Sequence, residues 1–349
     1  MYPVVLMGLV RSGEFCEELN LAGKDYSGID LSGGIFSKCD FSGARLHGTK
    51  LKEAVLIECD LRGAVLSETN CHHTTFHKCD LSGAVFTGAT IQATKFTESN
   101  LQKARFDGTT PVLAVLARSD LSGASFAGAK LDRTIFFETP MDGIDLAGAE
   151  LKRTSVIGVD FRPIRIDGVR FEMAVLNRCC FRGMSLDGFV FELCQLQESD
   201  LSGASLRGTY LVQANFKGAN LAGANLEGAR CERALLIEAN AEGAILRKAG
   251  LEQAVLDRAN LSKADLADAR LREASLKEVV AREASFAGAD LTYADLSRAD
   301  VEGASFVRAS MFRTILHSIK DAGAVIPQRA VARGTDEERA RAENFTPPY

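Results

Sequence analysis

The densest gathering of side chains able to hold a metal ion is Cys71-His72-His73-Thr74-Thr75-Phe76-His77-Lys78-Cys79. A zinc site needs four nitrogen, sulfur or oxygen ligands converging at roughly 2.0 to 2.3 Å. Whether Cys71, Cys79 and the three histidines can converge depends on the element that carries them. The remaining reactive groups are scattered. The histidines are His47, His72, His73, His77 and His317, none on a nucleophile elbow or beside a Gly-rich phosphate loop. The recurrent Ser-Gly-Ala is turn chemistry rather than a phosphate cradle.

The element is a repeat of five residues. Leu201 to Ala229 reads as a series of pentapeptides with a bulky apolar residue, here called i, at Leu201, Leu206, Leu211, Phe216, Leu221 and Leu226. A small residue stands two places earlier, at Ala204, Thr209, Ala214, Ala219 and Ala224. Neither a helix nor a flat strand has this period, whereas a chain turning through the sides of a square does. The register runs without an insertion from Leu21 to Leu316, with every i position at a number ending in 1 or 6.

This pattern resembles the pentapeptide-repeat family, whose motif is approximately Ala-(Asp/Asn)-Leu-X-X. The resemblance implies an all-β fold, a right-handed quadrilateral β-helix solenoid with four pentapeptides per coil and short terminal caps. About 15 coils at ~4.8 Å per coil would make a rod about 70 Å long. The expected organisation is an N-terminal cap at 1–20, a β-helix at 21–316 and a C-terminal tail at 317–349. Length alone would suggest two globular domains, but a continuous repeat overrides that prior.

In this register Cys71 and Cys79 face inward while His72, His73 and His77 lie outside on two different sides, so they do not converge on a metal. No cofactor and no enzymatic activity are expected. Cys39, Cys59 and Cys79 are spaced to stack as small core residues. Nine cysteines in a long chain with a large core suit free thiols in a reducing, cytoplasmic setting better than a disulfide framework. The apolar run Pro3 to Val10 lacks the preceding positive charge of a signal peptide and reads as a cap. Export without a cleavable signal stays open. No apolar run approaches the ~20 residues of a membrane span.

Lys plus Arg is 41 against 46 for Asp plus Glu, giving a net charge of −5 spread along the chain. That balance argues against direct nucleic-acid binding.

Two features should disturb the repeat. Pro111, at an i position, cannot donate a ladder hydrogen bond. From Thr139 to Cys194 the small position carries Ile144, Val159, Ile164, Val169, Met184 and Phe189, and a residue the size of Phe189 should push the backbone outward. The column Asn20, Asp40, Asp60, Asp80, Asn100 and Asp120, with later members up to Asp300, should hold turns. Phe86, Phe106 and Phe126 should stack in the core, as should Phe76 and Phe96. Past Leu316 the pattern stops, and Thr335-Asp336-Glu337-Glu338 could start a short helix through about Glu343. The terminal Phe345 to Tyr349 segment could serve as a docking peptide or a lid.

Function is then read from the outer surface. On one side, the positions flanking i carry Ile35, Val55, Ile57, Val115, Ile135, Phe137, Ile157, Val175, Leu235, Ile237 and Val255, whereas polar residues dominate the other three. Such a strip marks a contact surface, so the expected role is a rigid, non-catalytic scaffold or adaptor for protein partners or a homodimer. The resemblance also leaves a bacterial secreted effector or secretion-system setting open. The alternative is a DNA-mimicking gyrase inhibitor of the quinolone-resistance type, but a net charge of −5 falls far short of a duplex with about one charge per 1.7 Å.

Overall fold

The structure is a computed structural model that describes residues 1–343. It divides into two compact units, Met1–Val175 and Leu176–Tyr349. The terminal segment Phe345 to Tyr349, and any docking or lid role for it, lies outside the described residues.

The first unit opens with helix α1 (Pro3–Arg11), where Pro3 suits the first turn because no intrahelical partner is needed there. It buries Leu6 completely, and the Tyr26 hydroxyl donates to the Met1 carbonyl at 3.2 Å. Gly13, at φ +76, turns the chain out of the helix and into the first strand.

The unit's strands are β1 (Phe15–Glu17), β2 (Ile35–Ser37), β3 (Val55–Ile57), β4 (Thr75–His77), β5 (Lys95–Thr97), β6 (Val115–Ala117), β7 (Lys130–Asp132), β8 (Ile135–Phe137), β9 (Glu150–Lys152), β10 (Ser155–Val156) and β11 (Arg170–Glu172). Strands β1 to β6, β8 and β10 form one parallel sheet, and each residue pairs with the one 20 further on, as in Phe36 with Leu56 and Leu56 with Phe76. On the other sides the ladder is mostly single bridges at the residue before i, such as Asp40 with Asp60 and Val65 with Val85. A step of 20 residues is four pentapeptides, so the chain turns four corners per coil and buries one i residue per side.

The second unit repeats this geometry, with β12 (Val190–Glu192) and a run of bridges from Cys180 through Asp200, Asn220, Asn240, Asn260, Val280 and Asp300 to Lys320. It ends in a 3-10 turn (Arg329–Val331) and helix α2 (Glu337–Glu343). The Asp336 carboxylate accepts the Arg339 N–H at 3.0 Å, so Asp336 caps the helix while Thr335 accepts the Ser318 N–H at 3.3 Å.

The coils run further than the side-chain period indicates. Phe15 pairs with Ile35 and Cys16 is buried, so winding starts before Leu21. After Leu316, Val325 still pairs with Ser305 and Arg333 with Ile315. Asp321 stands where a core residue would, yet the backbone follows the ladder of the coil below. Rungs along the strand-bearing side of the first unit run from Phe15 to Val175, and the second unit has its own series from Cys180 to Lys320. These per-unit series replace the single count of about 15 coils.

The core is as the spacing requires: Leu221 and Leu226 are buried, and Phe106 stacks between Phe86 at 4.7 Å and Phe126 at 4.6 Å. The small position does more than fit. Thr74 Oγ1 donates to the Leu51 carbonyl at 2.7 Å, Thr94 to Cys71 at 2.6 Å, Ser119 to Phe96 at 3.2 Å and Cys79 Sγ to Leu56 at 3.4 Å. Each reaches the carbonyl 23 residues back, so a hydroxyl or thiol there ties its coil to the coil below by a bond that Ala cannot make, a second one for the Leu51 and Cys71 carbonyls, which already accept the N–H of Ala54 and Thr74.

The disturbances are local. At Pro111 the bridge moves to Gln92 and Val112, and the Pro111 carbonyl still accepts the Asp132 N–H at 2.9 Å. A second proline, Pro140, has more effect: it cannot donate to Ser119, no bridge joins it to Asp120 among the described residues, and a hollow of about 170 Å³ opens beside it and Val159. Phe189 does not break the ladder: its half-buried ring stacks against that of Phe191 at 6.1 Å, and Tyr210 N–H still bonds its carbonyl at 2.9 Å.

Candidate interaction face

The reactive groups named first are held apart. Cys71 and Cys79 are buried, His73 is exposed, and His77 Nδ1 lies 2.9 Å from Thr97 Oγ1 in the next rung. Burial pushes the Cys71 and Cys231 thiols up to about 12, which makes them poor nucleophiles and ligands. None of the nine cysteines is in a disulfide. Among the described residues no group of three or more His, Cys, Asp or Glu is placed to hold a metal ion, and no helix is long and apolar enough to cross a membrane.

The Asx column is occupied with turns. Asp40 Oδ1 accepts the Ser42 N–H at 2.8 Å and Asp80 Oδ1 that of Ser82 at 3.0 Å. In the second unit the amides also chain together, Asn260 Nδ2 donating to Asn240 Oδ1 at 3.1 Å. These side chains hold corners.

The outer face of the first unit's large sheet remains. Its rungs present two columns, one before and one after i, because a strand alternates its side chains. Three consecutive residues pair here rather than one, consistent with β-branched residues on both flanks of i. Of the flanking residues, Ile35, Ile135, Phe137 and Ile157 are 43%, 44%, 51% and 50% exposed, while Val55, Ile57, Val115 and Val175 are half-buried.

The strip is not continuous. Thr75, His77, Lys95 and Thr97 interrupt it and leave one apolar cluster at Ile35, Val55 and Ile57 and another at Val115, Ile135, Phe137 and Ile157. Phe15, 56% exposed on the first rung, belongs to the former and was hidden because it precedes the regular repeat. In the second unit, Leu235, Ile237 and Val255 form a smaller, half-buried group. The other sides are not wholly polar, since Ile245 and Val280 are each 37% exposed.

A charged column runs along one margin of this sheet, two residues after each i: Glu18, Lys38, Glu58, Lys78, Glu98, Arg118 and Glu138, all exposed. Its signs alternate rung by rung, and Lys78 approaches Glu98 at 4.0 Å. The face can therefore bury apolar surface and read charge order, but it offers no single-sign field.

The family models match two descriptions, a pentapeptide repeat region at residues 29–106 and pentapeptide repeats (8 copies) at 99–136 and over stretches from 174–211 to 269–308. No curated protein matches. Among solved structures, the chain is similar to HetL, a pentapeptide repeat protein involved in heterocyst differentiation regulation from the cyanobacterium Nostoc sp. strain PCC 7120. The identity is 25% over 79% of this chain and 95% of that one, with a TM-score of 0.31. It is also similar to QnrB1, a plasmid-mediated fluoroquinolone resistance protein, at 25% identity over 45% of this chain and 84% of that one, with a TM-score of 0.31. A pentapeptide repeat protein (Rfr23) from the cyanobacterium Cyanothece 51142 is 26% identical over 35% of this chain and 83% of that one, with a TM-score of 0.21. With the five-residue register, the 20-residue coils and the family-model matches together, the chain belongs to the pentapeptide repeat family.

Proposed function

We propose that this protein is a non-catalytic scaffold that binds protein partners through the outer face of the sheet running from β1 to β10. The observation that carries the reading is the cluster of Val115, Ile135, Phe137 and Ile157, where three large apolar side chains stand about half exposed on adjacent paired rungs. Scattered apolar residues need no explanation, but a cluster fixed on a sheet supports a contact surface. Aromatic and branched anchors held on a rigid element lose little entropy on binding.

The test is affinity capture from an extract of the native host with three baits: wild type, Ile57→Ser/Ile135→Ser/Phe137→Ser, and a control, Val65→Ser/Val85→Ser, on another side. Capture should fail only with the face variant. Equal capture by all three would overturn the reading. Inhibition of gyrase supercoiling at stoichiometric protein would favour the DNA-mimic alternative, against which the alternating charges of the face and the net charge of −5 both argue.

A further inference from the structure

The face of the first unit matches itself when turned end over end. We propose that it binds a second copy of this chain, antiparallel, about a two-fold axis lying in the interface between the Thr75 and Lys95 rungs. This inference rests on the reading above and names one occupant of that face.

Three columns of side chains run along the face, and the order of residues in each is what matches. A two-fold axis in the plane of the interface, perpendicular to the stacking direction, reverses the order of rungs but keeps each column opposite itself. The rungs of Ile35, Val55 and Thr75 then oppose those of Ile135, Val115 and Lys95. In the column before i, Ile35 faces Ile135 and Val55 faces Val115, so branched side chains near one end of each face cover those near the other, while Phe15 and Ile157 on the outermost rungs lie opposite Ser155 and Glu17, outside the matched strip. The polar interruption meets itself, His77 opposite Thr97.

In the column after i, Phe137 is 51% exposed and faces Ser37, which is only 9% exposed. Ile57 faces Ala117. A projecting side chain thus meets a recessed one, and a branched one meets a small one, which is the shape relation an interface core requires.

The charged column is complementary as well. Under this operation Lys38 faces Glu138, Glu58 faces Arg118 and Lys78 faces Glu98, so every charge on these rungs meets its opposite. Moving the axis by half a rung would place Glu58 opposite Glu98 and Lys38 opposite Arg118, setting like charges together. The alternation therefore rules out axes that lie on a rung and favours those midway between rungs, and among these the apolar residues single out the one between Thr75 and Lys95. Five steps of ~4.8 Å make the matched strip about 24 Å long. A strip of that length lies at the small end of specific interfaces, so the dimer should dissociate on the order of micromolar concentrations.

Sedimentation velocity over a concentration series tests this with wild type, Glu58→Lys, Arg118→Glu and the double variant. Each single change sets like charges opposite each other twice per dimer and should raise the dissociation constant about tenfold. The double variant restores opposite charges in reversed order and should recover wild-type association, with circular dichroism confirming that all four chains are folded. A monomeric wild type at all concentrations would overturn the dimer. So would singles that associate like wild type, or a double variant no better than the singles. A monomeric wild type whose host partner is still lost in the Ile57/Ile135/Phe137 variant would refute self-association while leaving the partner-binding face intact.

Discussion

Replacing Phe106 with Ala should be among the most damaging single changes in the first unit. The ring is 1% exposed and lies between Phe86 and Phe126, with interplanar angles of 5° and 10°, and it meets Phe96 edge-on at 5.7 Å. The space it leaves cannot close by collapse. Phe106 N–H bonds the Ser125 carbonyl at 2.7 Å and Arg105 N–H the Ala84 carbonyl at 2.9 Å, which fixes the coil above and the coil below. Phe→Ala in a core costs about 3–5 kcal/mol, and a site unable to relax falls in the upper part of that range. Two stacked contacts worth about 0.5–1.5 kcal/mol each push the same way. Phe106→Leu refills most of the volume and should cost less than about 2 kcal/mol. Urea unfolding followed by circular dichroism measures both. Phe106→Ala losing less than about 2 kcal/mol, or matching Phe106→Leu, would refute the claim that stacked coils hold the cavity open.

Other expectations follow from the same geometry. Thr74→Val should cost about 1 kcal/mol in the same assay despite its matching shape, because Leu51 loses the hydroxyl donor; no loss would show that the donor at the small position is idle. Thiol titration should find nine groups in denaturant without reductant, whereas in the native protein the half-buried Cys180 should react first; a count below nine would reveal disulfides. Helix α2 is latched through Glu343, whose carboxyl is held down at about 2 by Arg298, then Arg339 and His317. A carboxyl depressed below its ordinary value of 4.5 contributes fully above that pH, and the contribution is lost as pH falls toward about 2. Glu343→Gln should therefore speed tryptic cleavage at Arg339 and Arg341 at neutral pH, and an unchanged rate would remove the latch.

The sequence carries the i positions, the inward cysteines and the Asx turns because each depends on the five-residue period alone. Whatever depends on contact between coils is less legible. Cys79 reads as a small core residue, and its bond to the Leu56 carbonyl appears only once the coils are stacked. Pro111 attracts attention by occupying an i position, yet Pro140, one residue before i, disrupts the ladder more because that is where the single bridges form. The apolar run at the start reads as a cap but not as a helix, since the repeat supplies no signal there. The face is legible as a chemical bias. Its division by Thr75, His77, Lys95 and Thr97 and the recess at Ser37 emerge from the register of the rungs.

Whether the face bearing Ile57, Ile135 and Phe137 is a contact surface can be read from the sedimentation of fluorescently labelled protein in an extract of its native host, where association with a second copy or with another protein appears as faster-moving material. The wild type should sediment in complexes, and Ile57→Ser/Ile135→Ser/Phe137→Ser should sediment as the isolated, folded chain. A triple variant that keeps the wild-type distribution would show that this face makes no contact.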